Sequence, residues 1–459
     1  MTSNKAGIIP RLTLAAGLPV TQSPSTTTLR PSACPGLLRI VQALDGGICR
    51  IKLNGGAISA AQAVAVADAA ERYAGGVIEA TNRANLQIRG IGSEHRPLID
   101  SLLAAGLGPK TAAGDDVRNL MLSPGAGIDK QMLFDTRPLA EQILASLQSH
   151  ERFHQLSAKF AVQLDGGEAL AMLEHPHDLW LSAVERDGER LLAFGLAGCP
   201  TDTPVGAVLL SDGHALVVAV LELFLDLARP EQTRMRHVLA ERSLASVVQA
   251  LAECVPLTPI SHWRRAESPS GLHIGTYPQR QEGVVYIGVV PPLGRLDASM
   301  LKGAACLAEE FGDGSLRLTP WQSLLLPNIR HQDAPVLSER LQALGFLLCA
   351  DQALTHLVAC TGSDGCAKGL ADTKADALQL ATLLPGQADR LQVHLSGCSR
   401  SCAAAHIAPV TLLAVSPGHY DLYFRDAVQP GFGALQARNL TIEAAGALLD
   451  ACSRSPLDA

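Results

Sequence analysis

A chain of 459 residues is longer than one hydrophobic core usually serves, so two to four domains are expected. It is poor in aromatics and carries a formal net charge of −7, which argues against nucleic acid as a partner, because that binding needs a concentrated positive surface. Its cysteines number 11, an odd count that disfavours a disulfide framework and points to a reducing cytoplasm.

In chain order, residues 1–33 contain Lys5 and short apolar runs broken by Pro10 and Pro19, and read as a flexible lead-in rather than a signal peptide. A unit follows with the pattern strand, N-cap, helix, Gly stop, strand. Ser59 with Gln62 makes a capping box, the Ala-rich stretch to Tyr73 is helical, and Gly75-Gly76 ends it. Along 81–89, Thr81, Arg83, Asn85, Gln87 and Arg89 alternate with mostly apolar residues, which places them on one face of a strand. Two arginines and two amides without Lys or Glu suit a carboxylate ligand, since the guanidinium fork binds carboxylates bidentately. Arg83, Asn85, Gln87 and Arg89 are therefore candidates for substrate binding. Arg118 and Lys159, each at the start of a later strand, join them as anion clamps.

His175-Pro176-His177-Asp178 reads as a turn with solvated histidines, and Asp165-Gly166-Gly167 as a second turn. The apolar run 215–227 carries Glu222 and Asp226 and is too short to span a membrane, so a soluble protein without a membrane partner is expected. Residues 231–271, with Pro256, Pro259 and Pro269, form a linker in which 231–254 look helical.

Beyond the linker the first unit returns. At a constant offset Gly56 falls on Gly294, Ser59 on Asp297, Tyr73 on Phe311, Thr81 on Thr319 and Leu86 on Leu324; further on, Leu122 falls on Cys360 and Ile128 on Cys366. The chain thus divides into a lead-in (1–33), units at 34–105 and 112–230, a linker (231–271), and units at 272–348 and 353–459.

The last unit holds the most informative residues. Cys360 and Cys366 have five residues between them, Cys398 and Cys402 have three, and both pairs lie among Gly and Ser. Four thiols in two pairs can converge on one soft metal centre, and thiolate is the preferred ligand of iron–sulfur clusters and zinc. Residues 393–395 read as a strand and those from Cys398 as a helix start, which would place the second pair at a positive helix end and favour an anionic cluster. The first copy has Gly167 and Ala171 where the second has Cys398 and Cys402. Among the other cysteines, Cys49, Cys254, Cys306, Cys349 and Cys452 read as core, and Cys34 and Cys199 as turn residues. The Gly-rich stretch 362–369 lacks the Lys-Ser/Thr of a phosphate loop.

A duplicated unit whose second copy carries Cys-x5-Cys and Cys-x3-Cys resembles the sulfite and nitrite reductase family, from Cys34 to the end. The resemblance implies an α+β fold: ferredoxin-like half-domains at 34–105 and 272–348, an αβ domain at 112–230, and a second at 353–459 that binds a [4Fe–4S] cluster through Cys360, Cys366, Cys398 and Cys402. In that family the cluster lies beside a sirohaem, and Cys402 matches the cysteine that bridges the two. Thr81, Arg83 and Gln87 are similar to the family's tetrapyrrole-contacting strand, and Arg118 to a further macrocycle-binding arginine. One departure stands out: Lys159-Phe160-Ala161 replaces the Lys-Phe-Lys of the reductases, which removes a proton source that sulfite reduction needs.

Together with Ala33-Cys34-Pro35-Gly36, Asp45-Gly46 and Gly55-Gly56, this departure looks like the precorrin-3B synthase branch. That branch implies an O2-dependent monooxygenase of aerobic cobalamin biosynthesis, which hydroxylates precorrin-3A at C20 and closes a γ-lactone from the ring A acetate. It also implies a mononuclear non-haem iron, an electron-donor protein and an external reductant such as NADH acting through a reductase. Cys34, His394 and His406 are candidate ligands for that iron, none preferred, and no catalytic residue is singled out. The alternative is a sirohaem-dependent nitrite or sulfite reductase.

Overall fold

The computed structural model describes residues 34–109, 111–260, 262–384, 392–426, 428–429 and 431–454, so the expected lead-in lies outside the described residues. Two helices with matching caps organise its first and third quarters. Ser59 Oγ accepts from Gln62 N–H, and Ser59 N–H donates to Gln62 Oε1, each at 3.2 Å. Asp297 accepts from Met300 N–H at 2.8 Å. Both caps leave fewer orphan amides at the helix start. The helices they begin, Ala60–Tyr73 and Ala298–Phe311, bury Ala and Leu faces in one shared core.

Each cap also ends a three-residue strand, Ala57–Ser59 or Arg295–Asp297, and each strand pairs with the other copy's sheet. Leu296 lies opposite Ile78, and Ile58 opposite Leu316. The first sheet is therefore Val41–Ala43, Gly46–Ile51, Leu86–Ile91, Val77–Ala80 and the borrowed Arg295–Asp297. The second mirrors it, with Gly275–Pro278, Val284–Val289, Leu324–Arg330, Ser315–Leu318 and the borrowed Ala57–Ser59. Each copy closes an edge that would otherwise expose unpaired backbone groups.

The remaining two sheets share one topology. In Leu120–Leu122, Val162–Asp165, His177–Arg186, Glu189–Gly198 and Gly206–Leu209, the first three strands run parallel and the last two antiparallel. Leu357–Ala359, Val393–Ser396, Val410–Ser416, His419–Phe424 and Ala434–Thr441 repeat that order and those directions. This is the α+β duplication that the sequence implied. Among the described residues no helix is long and apolar enough to cross a membrane.

Several local expectations fail for identifiable reasons. Residues 81–85 are the turn of a hairpin and not part of a strand. The Thr81 hydroxyl accepts from Arg83 and Asn85 N–H at 3.4 and 3.1 Å, and this side-chain clamp overrides the alternating pattern. Thr319 does the same for Trp321 and Ser323 in the second copy. No helix follows Cys398: Ser396 and Ser401 hydroxyls bond the carbonyls of Cys398 and Ala404, and Ser401 sits at φ +52°. The expected 231–254 helix is two, Met235–Leu239 and Leu244–Ala252, because Ser243 caps the second. Of the cysteines read as core only Cys49 is buried; Cys254, Cys306, Cys349 and Cys452 are exposed.

The exchanged strand makes a test of the shared core. Ile58→Ala should lower stability by about 2–5 kcal/mol, read from urea midpoints. Cys306→Ser, on the outer face of its helix, should change it by less than about 0.5 kcal/mol. Equal midpoints for the two variants would contradict the shared core.

Candidate functional site

A cavity of about 1530 Å³ opens where the 81–85 turn meets the thiol-bearing loops. All four predicted cysteines line it. Cys360 follows the strand Leu357–Ala359, Cys366 closes a short helical turn at Gly362–Asp364, and Cys398 and Cys402 lie on the irregular loop after Val393–Ser396. Burial first, then the neighbouring Cys360, Cys398 and Cys366 thiols, raise the Cys402 pKa, so the four sulfurs feel one another's charge.

The loops meet backbone to backbone, which explains their glycines. A Cβ at Gly397 would lie 3.2 Å from Gly369 Cα and 3.5 Å from Cys360 Sγ, and Gly397 N–H donates to that sulfur at 3.2 Å. Thr373 Oγ1 stands 3.5 Å from the same sulfur, but its hydroxyl donates to Cys360 O at 2.7 Å. Hydrogen bonds to ligand sulfur tune a cluster's potential. Among the described residues no three His, Cys, Asp or Glu donors sit close enough to hold a single metal ion. A cubane takes each thiolate on a different iron, and four thiols lining one cavity are a donor set that could hold one.

The opposite wall is cationic. Arg83, Asn85, Gln87, Arg89 and Lys159, the residues singled out for substrate binding, line the cavity, but they divide by role. Asn85 Oδ1 accepts from Leu53 N–H at 2.8 Å, and Gln87 Nε2 donates to Glu79 at 2.7 Å, so both hold the hairpin together. Arg89 is held by Asp45 through two bonds of 2.8 and 2.9 Å and donates to Gly365 O at 3.2 Å, which ties the hairpin sheet to the cluster loop. Arg118 is not in the cavity wall: it is buried and paired with Asp115 at 3.0 Å, a partner three residues away that neutralises it.

Arg50 and Arg234, which the sequence reading missed, complete the wall. Arg50 shares a strand face with Ile48 and Lys52, so the alternation applied to 81–89 would have found it. Arg234 is fixed by the buried Asp178 at 2.8 Å. Arg83 and Arg50 make no ion pair among the described residues. Burial, then the facing Arg234 and Arg50, push the Arg83 pKa down to about 10. Two enclosed guanidiniums with no carboxylate in ion-pair contact could receive an anionic group.

A buried carboxylate joins this wall to the cluster loops. Glu79 has Arg295 at 3.0 Å and both Arg89 and Lys374 at 3.9 Å. Burial alone would raise its pKa, but Lys374, Arg89 and Arg295 outweigh that and hold it below the usual range. Lys374 Nζ also donates to Leu293 O and Ala359 O, one residue before Cys360.

The histidines differ from expectation. His175 and His177 are buried, not solvated, packed where the first αβ unit meets the thiol-bearing loop. His394 and His406 line the cavity, as do Cys34 and Cys199. Ala161 is buried with its N–H on Asp178 at 2.9 Å, whereas Lys159 reaches the cavity.

The repeat-related equivalent of this site is filled. By the repeat offset Ile128, Trp321, Leu325 and Tyr286 stand for Cys366, Arg83, Gln87 and Ile48, and they pack with Leu170 into an apolar cluster. His273 stacks on Trp321 at 4.9 Å.

Comparison with known proteins agrees with this picture. Residues 113–256 match the nitrite and sulphite reductase 4Fe-4S domain, and residues 41–106 and 277–344 match the nitrite/sulfite reductase ferredoxin-like half domain. Maize chloroplastic ferredoxin--nitrite reductase is 31% identical over 397 residues, covering 79% of this chain and 68% of the relative. The chain belongs to the nitrite and sulphite reductase family. Among other family members, a Synechococcus elongatus ferredoxin--nitrite reductase is 28% identical, over 80% of this chain and 76% of its own. A Sinorhizobium precorrin-3B synthase is 27% identical over 411 residues, 89% of this chain and 86% of its own. The Mycobacterium tuberculosis NirA structure superposes with a TM-score of 0.73 at 20% identity, covering 89% of this chain and 80% of that one, a likeness of fold. The matched 4Fe-4S domain, 113–256, is the family unit without the thiol quartet; the quartet lies in its repeat. The maize and Synechococcus relatives are oxidoreductases by name.

Glu79 gives a pH-dependent test. Its folded pKa is depressed, so its contribution is present above the unfolded value and lost as pH falls through the folded one. Glu79→Gln, which leaves three cations around a neutral group, should destabilise by about 3–5 kcal/mol at neutral pH. The gap from wild type should narrow as pH falls below the ordinary glutamate range and close only once the depressed folded value is passed, where wild-type Glu79 also becomes neutral. Urea titrations across that pH range read both.

Proposed function

We propose that this chain is a precorrin-3B synthase: an O2-dependent monooxygenase that hydroxylates precorrin-3A at C20 and closes the γ-lactone. The observation that carries the reading is the cavity itself, a macrocycle-sized space with unpaired guanidiniums on one wall and four thiols on the other. A precorrin bears many acetate and propionate groups, which Arg50, Arg83 and Arg234 are placed to grip, with Lys159 at the edge. The Cys360, Cys366, Cys398 and Cys402 thiolates hold the [4Fe–4S] cluster, which supplies single electrons when bound. The Gly397 N–H, which donates to Cys360 Sγ, tunes its potential. The balance is precorrin-3A, O2, two electrons and two protons to the lactone-alcohol and water. The electrons come from an external reductant such as NADH through a donor protein, and a mononuclear non-haem iron, when bound, would supply the O2 activation.

Two features favour this reading over sulfite or nitrite reduction. The Sinorhizobium precorrin-3B synthase and this chain cover each other to 89% and 86%. Ala161 also lacks the lysine ammonium expected of a reductase. Exposed Cys254, Cys306, Cys349 and Cys452, none in a disulfide, suit a reducing cytoplasm. The second reading, a sirohaem-dependent nitrite or sulfite reductase, is supported by the ferredoxin--nitrite reductases at similar identity.

Anaerobically purified protein should show iron–sulfur absorption without haem bands, and should consume O2 when given precorrin-3A and a reductant. Sirohaem bands with nitrite or sulfite turnover would overturn the proposal. Cys398→Ser should abolish the cluster, and Cys452→Ser should leave iron and labile sulfide unchanged. Arg50→Leu and Arg83→Leu should each weaken precorrin-3A binding by about 10–100-fold, measured by equilibrium titration, with cluster content unaltered.

A further inference from the structure

Asp178 is 1% exposed, stands near the start of the strand His177–Arg186 and lines the cavity. Its carboxylate collects donors from two distant segments. Ala161 N–H reaches Oδ2 at 2.9 Å, and Met235 N–H reaches Oδ1 at 2.8 Å. Arg234 Nε reaches Oδ1 and Oδ2 at 3.0 and 2.8 Å. This arginine is not held as Arg89 is. Arg89 gives Asp45 both Nε and Nη2, and that Nη2 goes on to Gly365 O, so its fork is spent. Arg234 gives Asp178 its Nε alone. Among the described residues neither of its Nη groups has a hydrogen-bond partner, and the side chain lines the cavity.

Arg83 feels the charge of Arg234: burial first, then Arg234 ahead of Arg50, lower its pKa. His177 stands beside both arginines. Burial, then Arg83 and after it Arg234, push its pKa down to about 3, so its ring is neutral. Arg50 lies further along the wall, where burial lowers its pKa and the Cys34 and Cys402 thiols oppose the change. Asp178, Arg83 and Arg234 together carry one net positive charge, which one ligand carboxylate would balance. Two guanidiniums can each donate to an oxygen of that carboxylate. We propose that Asp178 is a positioning residue: by taking Arg234 through Nε it aims the Nη pair at the carboxylate that Arg83 meets. The two arginines then clamp one carboxylate of the macrocycle on the first αβ unit's side of the cavity. Arg50 serves a different carboxylate, on the side of Cys402. Ala161 N–H shares Oδ2 with Arg234 Nε, so the cation at this point comes from the segment between the two copies. It is a guanidinium, which keeps its charge and gives up no proton. That the macrocycle is precorrin-3A rests on the oxygenase reading, whereas the clamp rests on the contacts of Asp178.

A double-mutant cycle on full-length protein with its cluster intact tests this. Precorrin-3A affinity is read by anaerobic equilibrium titration, and stability by urea midpoint. Asp178→Asn, which keeps the shape of the side chain, and Arg234→Leu should each weaken binding by about tenfold or more, with labile sulfide unchanged. The double variant should bind no more than about threefold more weakly than either single, because both remove the same clamp. Asp178→Asn combined with Arg50→Leu should instead multiply the two losses. Asp178→Asn leaves a buried guanidinium unpaired and should lower the urea midpoint. Adding Arg234→Leu removes that charge and should restore most of the midpoint while affinity stays low; a merely structural carboxylate would move both together. Arg234→Lys keeps the charge without the aimed fork, and should bind as weakly as Arg234→Leu. Wild-type affinity in Asp178→Asn or in Arg234→Lys, or full multiplication of the Asp178→Asn and Arg234→Leu losses, would overturn the proposal. If the cycle behaves as expected but wild type consumes no O2 with precorrin-3A, the clamp stands and the oxygenase reading falls. If O2 is consumed and those losses multiply, the reading stands and the clamp falls.

Discussion

The structure depends on one buried charge. Glu79 sits on the first copy's hairpin, faces Arg295 on the strand lent by the second copy, and meets Lys374 on the first turn of the helix that backs Cys360. Arg89 closes the same group and reaches on to Asp45 and Gly365. Replacing one partner in such a network leaves an uncompensated buried charge, which is far more damaging than the net worth of any single pair. The alignment of arginine wall and thiol loops across the cavity is therefore fixed by electrostatics as much as by the hydrophobic core.

That alignment separates two uses of arginine which look alike in a sequence. Arg89 and Arg118 are spent on Asp45 and Asp115 and serve as braces. Arg50 and Arg83 are enclosed and make no ion pair among the described residues, and so remain available to a ligand. Counting basic residues along a strand cannot distinguish these roles; finding their carboxylates can.

The duplicated scaffold and the thiol quartet were legible because both are written in residue identity at fixed spacing: matched glycines and caps in one case, Cys-x5-Cys and Cys-x3-Cys in the other. The strand exchange was not legible, since a three-residue segment carries no record of which sheet edge it joins. The 81–85 turn was misread because a threonine hydroxyl, with no glycine to announce it, folds the chain there and Ala84 takes φ +53°. His175-Pro176-His177 was misread because its burial comes from packing against a loop more than two hundred residues away. Arg234 was hidden in a linker, and only its partner Asp178 brings it to the cavity.

The reciprocal loan of strands also speaks to origins. A lone ancestral copy would have had an open sheet edge, and an identical twin related by a two-fold axis would have closed it in just this way. Such a dimer would carry two equivalent cavities. Joining the twins in one polypeptide lets them diverge, and here one keeps the thiols and guanidiniums while Trp321, Leu325 and Ile128 plug the other.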